Sequence, residues 1–420
     1  MNSEDFEGRA DVNPAYLIIQ LARFGDVIQT KRLVLSLLVQ GQVHLLVDRS
    51  LQALASLVYP QVTVHGIAAH GTHGPDVLAQ VHKDLESLCA LNFLRVYNLN
   101  FSGLNFALAG MFPVDVVRGY RLNSGQRLID AWPEQVMRWT RSRVQSGLNL
   151  IDVWGLYADQ VVPPERVNPV ATPRGGGLGV VMAGQNARRS LPAQMLAPLI
   201  QAARGRVGHG PVYLLGSGAE RRAAKELAAL LPPTLRGEVR DLVGQTGWQE
   251  LIHVVGGLDL LLSPDTGTMH LAAHLGVPVL AFFLSSAWCH ETGPYGQGHL
   301  VLQAMTECAP CLETAPCPFE ISCRRAFSDP AVLRYVSGRT DKGLASECAV
   351  MASGFDALGL TWTAVAGHDP HASQRVRFRS MAASYAGVAM PVGAEPLLDE
   401  IWTRERDWML PQTLRGRAHE

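Results

Sequence analysis

The sequence predicts an α/β protein built from two doubly wound, Rossmann-like domains, each around a parallel sheet. Three observations carry this reading. From residue 16 onward, short apolar runs alternate with longer stretches of helical spacing, the pattern of parallel βαβ units. The alternation lapses in a segment rich in Pro and Gly and then begins again. Finally, 420 residues with 47% hydrophobic content exceed the roughly 250–300 residues beyond which a single core stops growing, so two cores are expected.

In the first domain, 1–165, the spacing predicts strands at 16–21, 43–47, 62–67 and 95–99, with helices near 27–40, 51–58 and 75–92. A less regular stretch with Trp132, Trp139 and Trp154 follows. The run VVPPERVNPVATPRGGG, 161–177, has no period and closes the domain, supplying a linker at 166–177. A second domain, 178–345, predicts strands at 178–182, 212–215, 239–242, 258–262 and 277–283, with helices after Pro192, Ala219, Trp248 and Gly267. Residues 346–420 form a C-terminal extension without an assignable motif.

Lys and Arg number 36 against 37 Asp and Glu, so the chain lacks the basic field that holds a nucleic acid, and no such partner is expected. The start, MNSEDFEGRADVNPAY, is polar and acidic where a secretory signal is basic and then apolar, and no window reaches the ~18 apolar residues of a membrane span. A cytoplasmic protein is expected. Of seven cysteines, Cys89, Cys289 and Cys348 stand apart and read as buried or incidental thiols. Cys308, Cys311, Cys317 and Cys323 fall within sixteen residues, which suits a structural zinc or iron–sulfur cluster; reduced thiols or a disulfide pair are the alternatives.

Ligands of doubly wound sheets bind beyond the carboxyl ends of the strands, so chemistry is sought in the loops there. The first, Ala22-Arg23-Phe24-Gly25-Asp26-Val27, brings a carboxylate to the first strand-to-helix turn; the plain alternative is that Asp26 caps the following helix. In Ser263-Pro264-Asp265-Thr266-Gly267-Thr268-Met269-His270, Asp265 or Thr266 can cap a helix whose first N–H groups then face an anion, the alternative being an ordinary capped helix. The loop 183–192 carries Gly184 and two guanidinium groups, Arg188 and Arg189, whose fork geometry suits phosphate, unless it is simply a solvated basic turn. Gly216-Ser217-Gly218-Ala219-Glu220-Arg221 begins like a dinucleotide fingerprint, but Arg221 stands where the third Gly or Ala belongs, which weakens a dehydrogenase reading. Glu220 there could accept hydrogen bonds from a ribose.

YLIIQLARFGDVIQT, the turn from Arg189 to Pro192, and DLVGQTGWQELIHVVGGLDLLLSPDTGTMHLAAHLGVPVLAFF occur in an order and spacing that resemble glycosyltransferase family 9, the ADP-heptose:lipopolysaccharide heptosyltransferases, across residues 16–325. The resemblance implies the GT-B fold, with two domains facing across a cleft, and a helix at the chain's end that crosses back to the first domain, for which 396–408 is the candidate. It implies an inverting transfer with Asp26 as general base and Arg23 and Gly25 on the acceptor side. Arg189 takes the diphosphate, in a turn where Arg replaces the family's Lys and Leu191 its Trp. Glu220, beside Gly216, takes the ribose, Gly244-Gln245-Thr246 the base, and Asp265, Thr266, Gly267, Thr268, Met269 and His270 the sugar and phosphates. The implied donor is ADP-heptose and the implied acceptor a lipopolysaccharide core. A helix N-terminus and an arginine on the leaving group remove the need for a catalytic metal. The basic, aromatic stretch 132–143 could meet an anionic acceptor at the inner membrane face or be a solvated helix. A GT-B-like nucleotide-sugar epimerase and a non-catalytic nucleotide-sugar-binding protein are the competing functions.

Overall fold

The computed structural model describes residues 13–71, 75–182, 187–339, 344 and 347–388. They divide into two compact units, one running to Pro133 and including Tyr157–Val162, the other holding Glu134–Leu156 and the chain from Pro163. The architecture is α/β with two mostly parallel sheets and flanking helices.

In the first unit β1 (Ala15–Ile19), β2 (Gln42–Asp48), β3 (Thr63–Ile67), β4 (Arg95–Asn98), β5 (Val117–Asn123) and β6 (Gln126–Ile129) lie in the order β3-β2-β1-β4-β5-β6. Every pairing is parallel except β5 with β6. Between them run α1 (Phe24–Gln29), α2 (Lys31–Leu38), α3 (Gln52–Val58), α4 (Pro75–Cys89) and α5 (Gly103–Ala109). Leu17 and Ile19 of β1, Leu46 of β2 and Val96 of β4 anchor the core, as expected of a central parallel strand that is apolar on both faces. Two differences from expectation follow from local chemistry. The helix expected at 27–40 is two helices, because Thr30 turns its hydroxyl onto Val27 O at 2.6 Å and the buried Tyr59 hydroxyl donates to the same carbonyl at 2.9 Å. The hairpin β5–β6 was not anticipated: its strands are short and polar at several positions, and its turn residues Ser124 and Gly125 both have positive φ, 48° and 80°.

The second unit carries β7 (Leu178–Val181), β8 (Val212–Leu215), β9 (Val239–Asp241), β10 (Leu260–Ser263), β11 (Val279–Phe283), β12 (Leu300–Ala304), β13 (Cys348–Phe355) and β14 (Leu360–Ala366), ordered β14-β13-β12-β11-β10-β7-β8-β9. The sheet is parallel from β9 to β12, and β13 and β14 add an antiparallel edge. Its helices are α6 (Ala131–Trp139, which begins in the first unit), α7 (Leu150–Gly155), α8 (Ala193–Val207), α9 (Arg221–Leu230), α10 (Pro233–Arg236), α11 (Trp248–Gly256), α12 (Gly267–His274), α13 (Cys289–Thr292), α14 (Pro330–Val336) and α15 (Ala372–Tyr385). Strands β7, β10 and β11 are buried at every position, which is why they read as unbroken apolar runs.

The C-terminal extension differs from expectation. Its described part, 347–388, belongs to the second unit: β13 pairs with β12, and Phe378 and Tyr385 of α15 pack edge-on against Trp139. Residues 134–156, expected within the first domain, join this unit for the same physical reason. Arg375 and Arg379 of α15 donate to Val144 O at 2.6 Å and Gly147 O at 3.0 Å, and Tyr295 donates to buried Asp152 at 2.6 Å. The proposed crossing helix at 396–408 lies outside the described residues.

Candidate functional site

In the first sheet β1 lies between β2 and β4, so the chain reverses its direction of travel beside the carboxyl end of β1, where ligands of such sheets bind. The loop leaving β1 is held there by its neighbours. Asn100, two residues past β4, accepts the Leu21 N–H on its Oδ1 at 2.9 Å, and His70, past β3, donates from Nε2 to Leu21 O at 2.8 Å. His70 is itself fixed from below, since Asp48 Oδ2 accepts the N–H groups of Ala69 and His70 at 2.9 and 3.2 Å. Burial pushes the Asp48 carboxyl up, yet the hydrogen bonds from Ser50 and Ala69 outweigh it and hold the group below its ordinary value.

Asp26 is half-buried in the first turn of α1, and its Oδ2 accepts the Arg23 N–H at 3.0 Å. The helix starts three residues ahead of the expected one, so Arg23 is the capping position and Asp26 closes the turn from inside. The capping alternative is therefore realised with one carboxylate oxygen. Gly25 lies in the same turn, its carbonyl accepting Gln29 Nε2 at 3.4 Å, and Arg23 is exposed.

In the second sheet the reversal falls between β7 and β10, which brings together the loops leaving those strands. Thr266 caps α12, accepting the Met269 N–H at 3.4 Å, and Ser263 Oγ lies 3.1 Å from the Thr266 hydroxyl. A helix leaves its first N–H groups without intrahelical partners, so Gly267 and Thr268 present theirs at this end. Asp265 has a different task. Only 6% exposed, it meets Arg189 at 3.3 Å, His270 Nε2 at 3.7 Å and the Thr292 hydroxyl, which donates at 3.0 Å. Burial alone would push this carboxyl up; the His270 hydrogen bond, the Arg189 charge and Thr292 bring it below its ordinary value, so it is ionised at neutral pH. Arg189 also pairs with Glu313 at 2.6 Å. Met269 and His270 are buried, and His270 Nδ1 lacks a hydrogen-bond partner among the described residues.

The two loops expected to hold the nucleoside meet. Gly244 N–H donates to Gly216 O at 2.8 Å, and Gly244, at φ +65°, lies so close that a Cβ there would stand 2.7 Å from the Gly218 Cα. Thr246 follows, half-buried, just before α11. Glu220 already has local partners: its Oε2 accepts the Ser217 N–H and hydroxyl, both at 2.7 Å, closing a capping box. Gly184 lies outside the described residues.

Arg188 turns away from Arg189 into the cysteine loop. It donates to Glu313 O at 3.0 Å, to Ala315 O, and to Cys311 Sγ at 2.8 Å. Burial raises the Cys311 thiol and Arg188 opposes this, while Cys308 and Cys323 add their own repulsion. Cys317 is lowered by N–H groups of Ile321 and Phe319. All four cysteines are free thiols, and among the described residues no group of three or more His, Cys, Asp or Glu side chains is placed to hold a metal, so the expected ligand set is not assembled. In the basic stretch, Arg138 pairs with Glu134 at 2.6 Å, Arg143 with Glu291 at 2.6 Å, and Trp139 is buried. Those three side chains are held within the second unit. No described helix is long and apolar enough to cross a membrane.

Residues 192–320 match the sequence profile of Glycosyltransferase family 9 (heptosyltransferase). That part of the chain is similar to the family 9 glycosyltransferases. Its fold is that of solved GT-B heptosyltransferases. The Escherichia coli ADP-heptose lipopolysaccharide heptosyltransferase II superposes with a TM-score of 0.52 at 17% identity, over 70% of this chain and 92% of that one. The E. coli heptosyltransferase WaaC with ADP gives 0.52 at 17%, over 69% and 93%, and a family 9 glycosyltransferase of Veillonella parvula 0.50 at 16%, over 70% and 88%. Comparison with curated proteins finds no match. The profile spans Asp265–His270 and Glu313 but stops short of Arg189 and the whole first unit.

Sequence reasoning missed Thr292 and Glu313, the side chains that complete the surroundings of Asp265 and Arg189, and Asn100 and His70, which hold the first loop. Asn100 carried a signal, since it follows a strand end; the other three depend on tertiary pairings that spacing does not encode.

Proposed function

We propose that this protein is an inverting glycosyltransferase that moves a sugar from a nucleoside diphosphate donor to a glycan acceptor without a catalytic metal, ADP-heptose and a lipopolysaccharide core being the donor and acceptor. The observation that carries the reading is the convergence of Arg189, buried Asp265 and the N-terminus of α12 at the strand-order reversal of the second sheet, within and beside the family 9 match. The solved relatives described as ADP-heptose transferases and as complexed with ADP support the donor class.

In the reaction the acceptor hydroxyl gives its proton to Asp26 as its oxygen attacks the anomeric carbon. The bond from that carbon to the diphosphate oxygen breaks with inversion, and charge grows on the leaving phosphate. Arg189 and the N–H groups of Gly267 and Thr268 would stabilise this charge. Asp265 supports Arg189, and Asn100 and His70 support the loop that carries Asp26. The nucleoside is assigned to the Gly216–Glu220 and Gly244–Thr246 loops, with the Glu220 carboxylate as the ribose contact. The protein works in the cytoplasm in this reading. For the four-cysteine loop we propose a structural role, with zinc or an iron–sulfur cluster as the group its thiols would take.

The test is a panel of nucleotide sugars scored by the rise in melting temperature and then by acceptor-dependent release of nucleoside diphosphate. ADP-heptose should give the largest rise and support turnover. A donor that is bound and converted without any acceptor would favour the epimerase, and binding without conversion the non-catalytic protein.

A further inference from the structure

The sequence places two arginines side by side, and the structure sends both to one short segment of the cysteine loop. Arg188 grips its backbone, at Glu313 O and Ala315 O, together with Cys311 Sγ. Arg189 takes its side chain, the Glu313 carboxylate, at 2.6 Å. The guanidinium assigned to the donor's diphosphate is thus shared between Asp265 and Glu313, and the pair of carboxylates leaves that trio with a net charge of −1.

The surrounding charges sharpen the point. Three guanidinium groups, Arg143, Arg188 and Arg189, are set among three carboxylates, Asp265, Glu291 and Glu313. Within this group of six the charges cancel, so a diphosphate that takes Arg189 competes with the carboxylates already paired to it. The three carboxylates differ in burial and in setting. Asp265 is almost wholly buried and accepts a hydrogen bond from Thr292, and Glu291 accepts from both Nε and Nη2 of Arg143. Glu313 is about a quarter exposed and stands in a loop whose neighbours Leu312, Thr314, Ala315 and Pro316 are exposed, so its release costs little burial.

We propose that Glu313 is a specificity-determining residue of the donor site: its carboxylate holds Arg189 in the place of a phosphate, and only a ligand with a phosphate that can displace it binds there. The inference rests on the assignment of Arg189 to the donor diphosphate. Glu313 keeps Arg189 extended and paired while the site is empty, and its departure restores one positive charge as the diphosphate enters. Ligands that do not reach Arg189 leave the pair intact and are indifferent to it. By linkage, whatever stiffens the cysteine loop with Glu313 in place weakens donor binding to the same extent.

Isothermal titration with inorganic pyrophosphate, on the full chain, tests this. Glu313→Gln should bind pyrophosphate about three- to tenfold more tightly than the parent, the size expected from removing a partly exposed competing ion pair. Glu313→Asp should stay near the parent, and Arg189→Ala should bind more weakly. If Arg189→Ala binds as the parent does, the donor assignment itself fails. If Arg189→Ala weakens binding while Glu313→Gln leaves it unchanged or weaker, the donor assignment stands and the role of Glu313 is overturned. A measurement on the parent alone guards against a variant that does not fold: pyrophosphate should speed cleavage after Glu313 by a glutamate-specific protease, because it frees that side chain. Protection by pyrophosphate would overturn the proposal.

Discussion

Replacing Asp265 with Asn removes one charge from the most crowded part of the proposed donor site while keeping the shape of the side chain. The carboxylate is 6% exposed and answers Arg189 at 3.3 Å, His270 at 3.7 Å and the Thr292 hydroxyl at 3.0 Å. Breaking a wholly buried ion pair costs about 3–5 kcal/mol. Arg189, however, is a quarter exposed and keeps Glu313 at 2.6 Å, and the amide of Asn still accepts from Thr292, so the expected loss is about 1.5–3 kcal/mol. Urea unfolding at neutral pH, followed by tryptophan fluorescence, reads this as a lower midpoint at unchanged slope. The sign of the pH dependence adds a second check. Because the folded carboxyl lies below its ordinary value of 3.8, its contribution is complete above that pH and is lost as pH falls through the folded value, so parent and variant should converge only in acid. A variant within about 0.5 kcal/mol of the parent at neutral pH would refute the claim that Asp265 organises the site.

Three further outcomes follow from the same geometry. Asn100→Ala frees the Leu21 N–H that positions the first loop, and turnover should fall about tenfold or more with the donor's dissociation constant unchanged in calorimetry; equal weakening of both would mean a general loss of structure. Burial lowers His44, His65 and His290, and His299 to about 4; His299 Nδ1 also accepts the Val279 N–H, which a protonated ring cannot do. The unfolded chain takes up protons below about 6.5 that the native state refuses, so stability measured in urea should drop between pH 7.5 and 5.5, by up to ~1.4 kcal/mol per pH unit for each of the buried rings His290 and His299 and by less for the partly exposed His44 and His65. A flat profile over that range would show that these rings titrate normally. Cys311→Ser takes the sulfur from Arg188 and should lower the melting temperature more than it lowers the activity of the folded fraction, and elemental analysis of anaerobically purified parent should give about one zinc or an iron–sulfur chromophore if the four thiolates gather. Metal-free protein with four freely titrating thiols would sink the metal, and a large loss of turnover in folded Cys311→Ser would sink the structural role.

The parallel strands were legible because burial on both faces writes itself as unbroken apolar runs, as in VLAFF of β11 and LLLS of β10. Edge elements were not: β5 and β6 carry polar residues without a regular alternation, and β13 and β14 lie some forty residues past β12, where no loop signal announces an antiparallel return. At the site, the loops that follow strands were visible through Gly25, Thr266 and Gly267, since turn and cap chemistry is local. What Asp265 and Glu220 do was less so. Thr266 rather than Asp265 takes the cap, freeing Asp265 for Arg189, and Glu220 is drawn to Ser217 three residues back. Whether an acidic side chain serves its own turn or a distant partner depends on what packs above it, and here that includes Thr292 and Glu313 from a later part of the chain.

The central claim, sugar transfer driven by Asp26, is tested most directly by single-turnover release of ADP from ADP-heptose, with lipopolysaccharide core acceptor present, in the parent and in Asp26→Asn. The parent should release ADP only when the acceptor is added. The variant should bind the donor as tightly and release ADP about 100-fold more slowly, because only the base is lost while the amide still accepts the Arg23 N–H. Near-parental turnover in Asp26→Asn would leave that carboxylate as a helix-turn device and contradict the account.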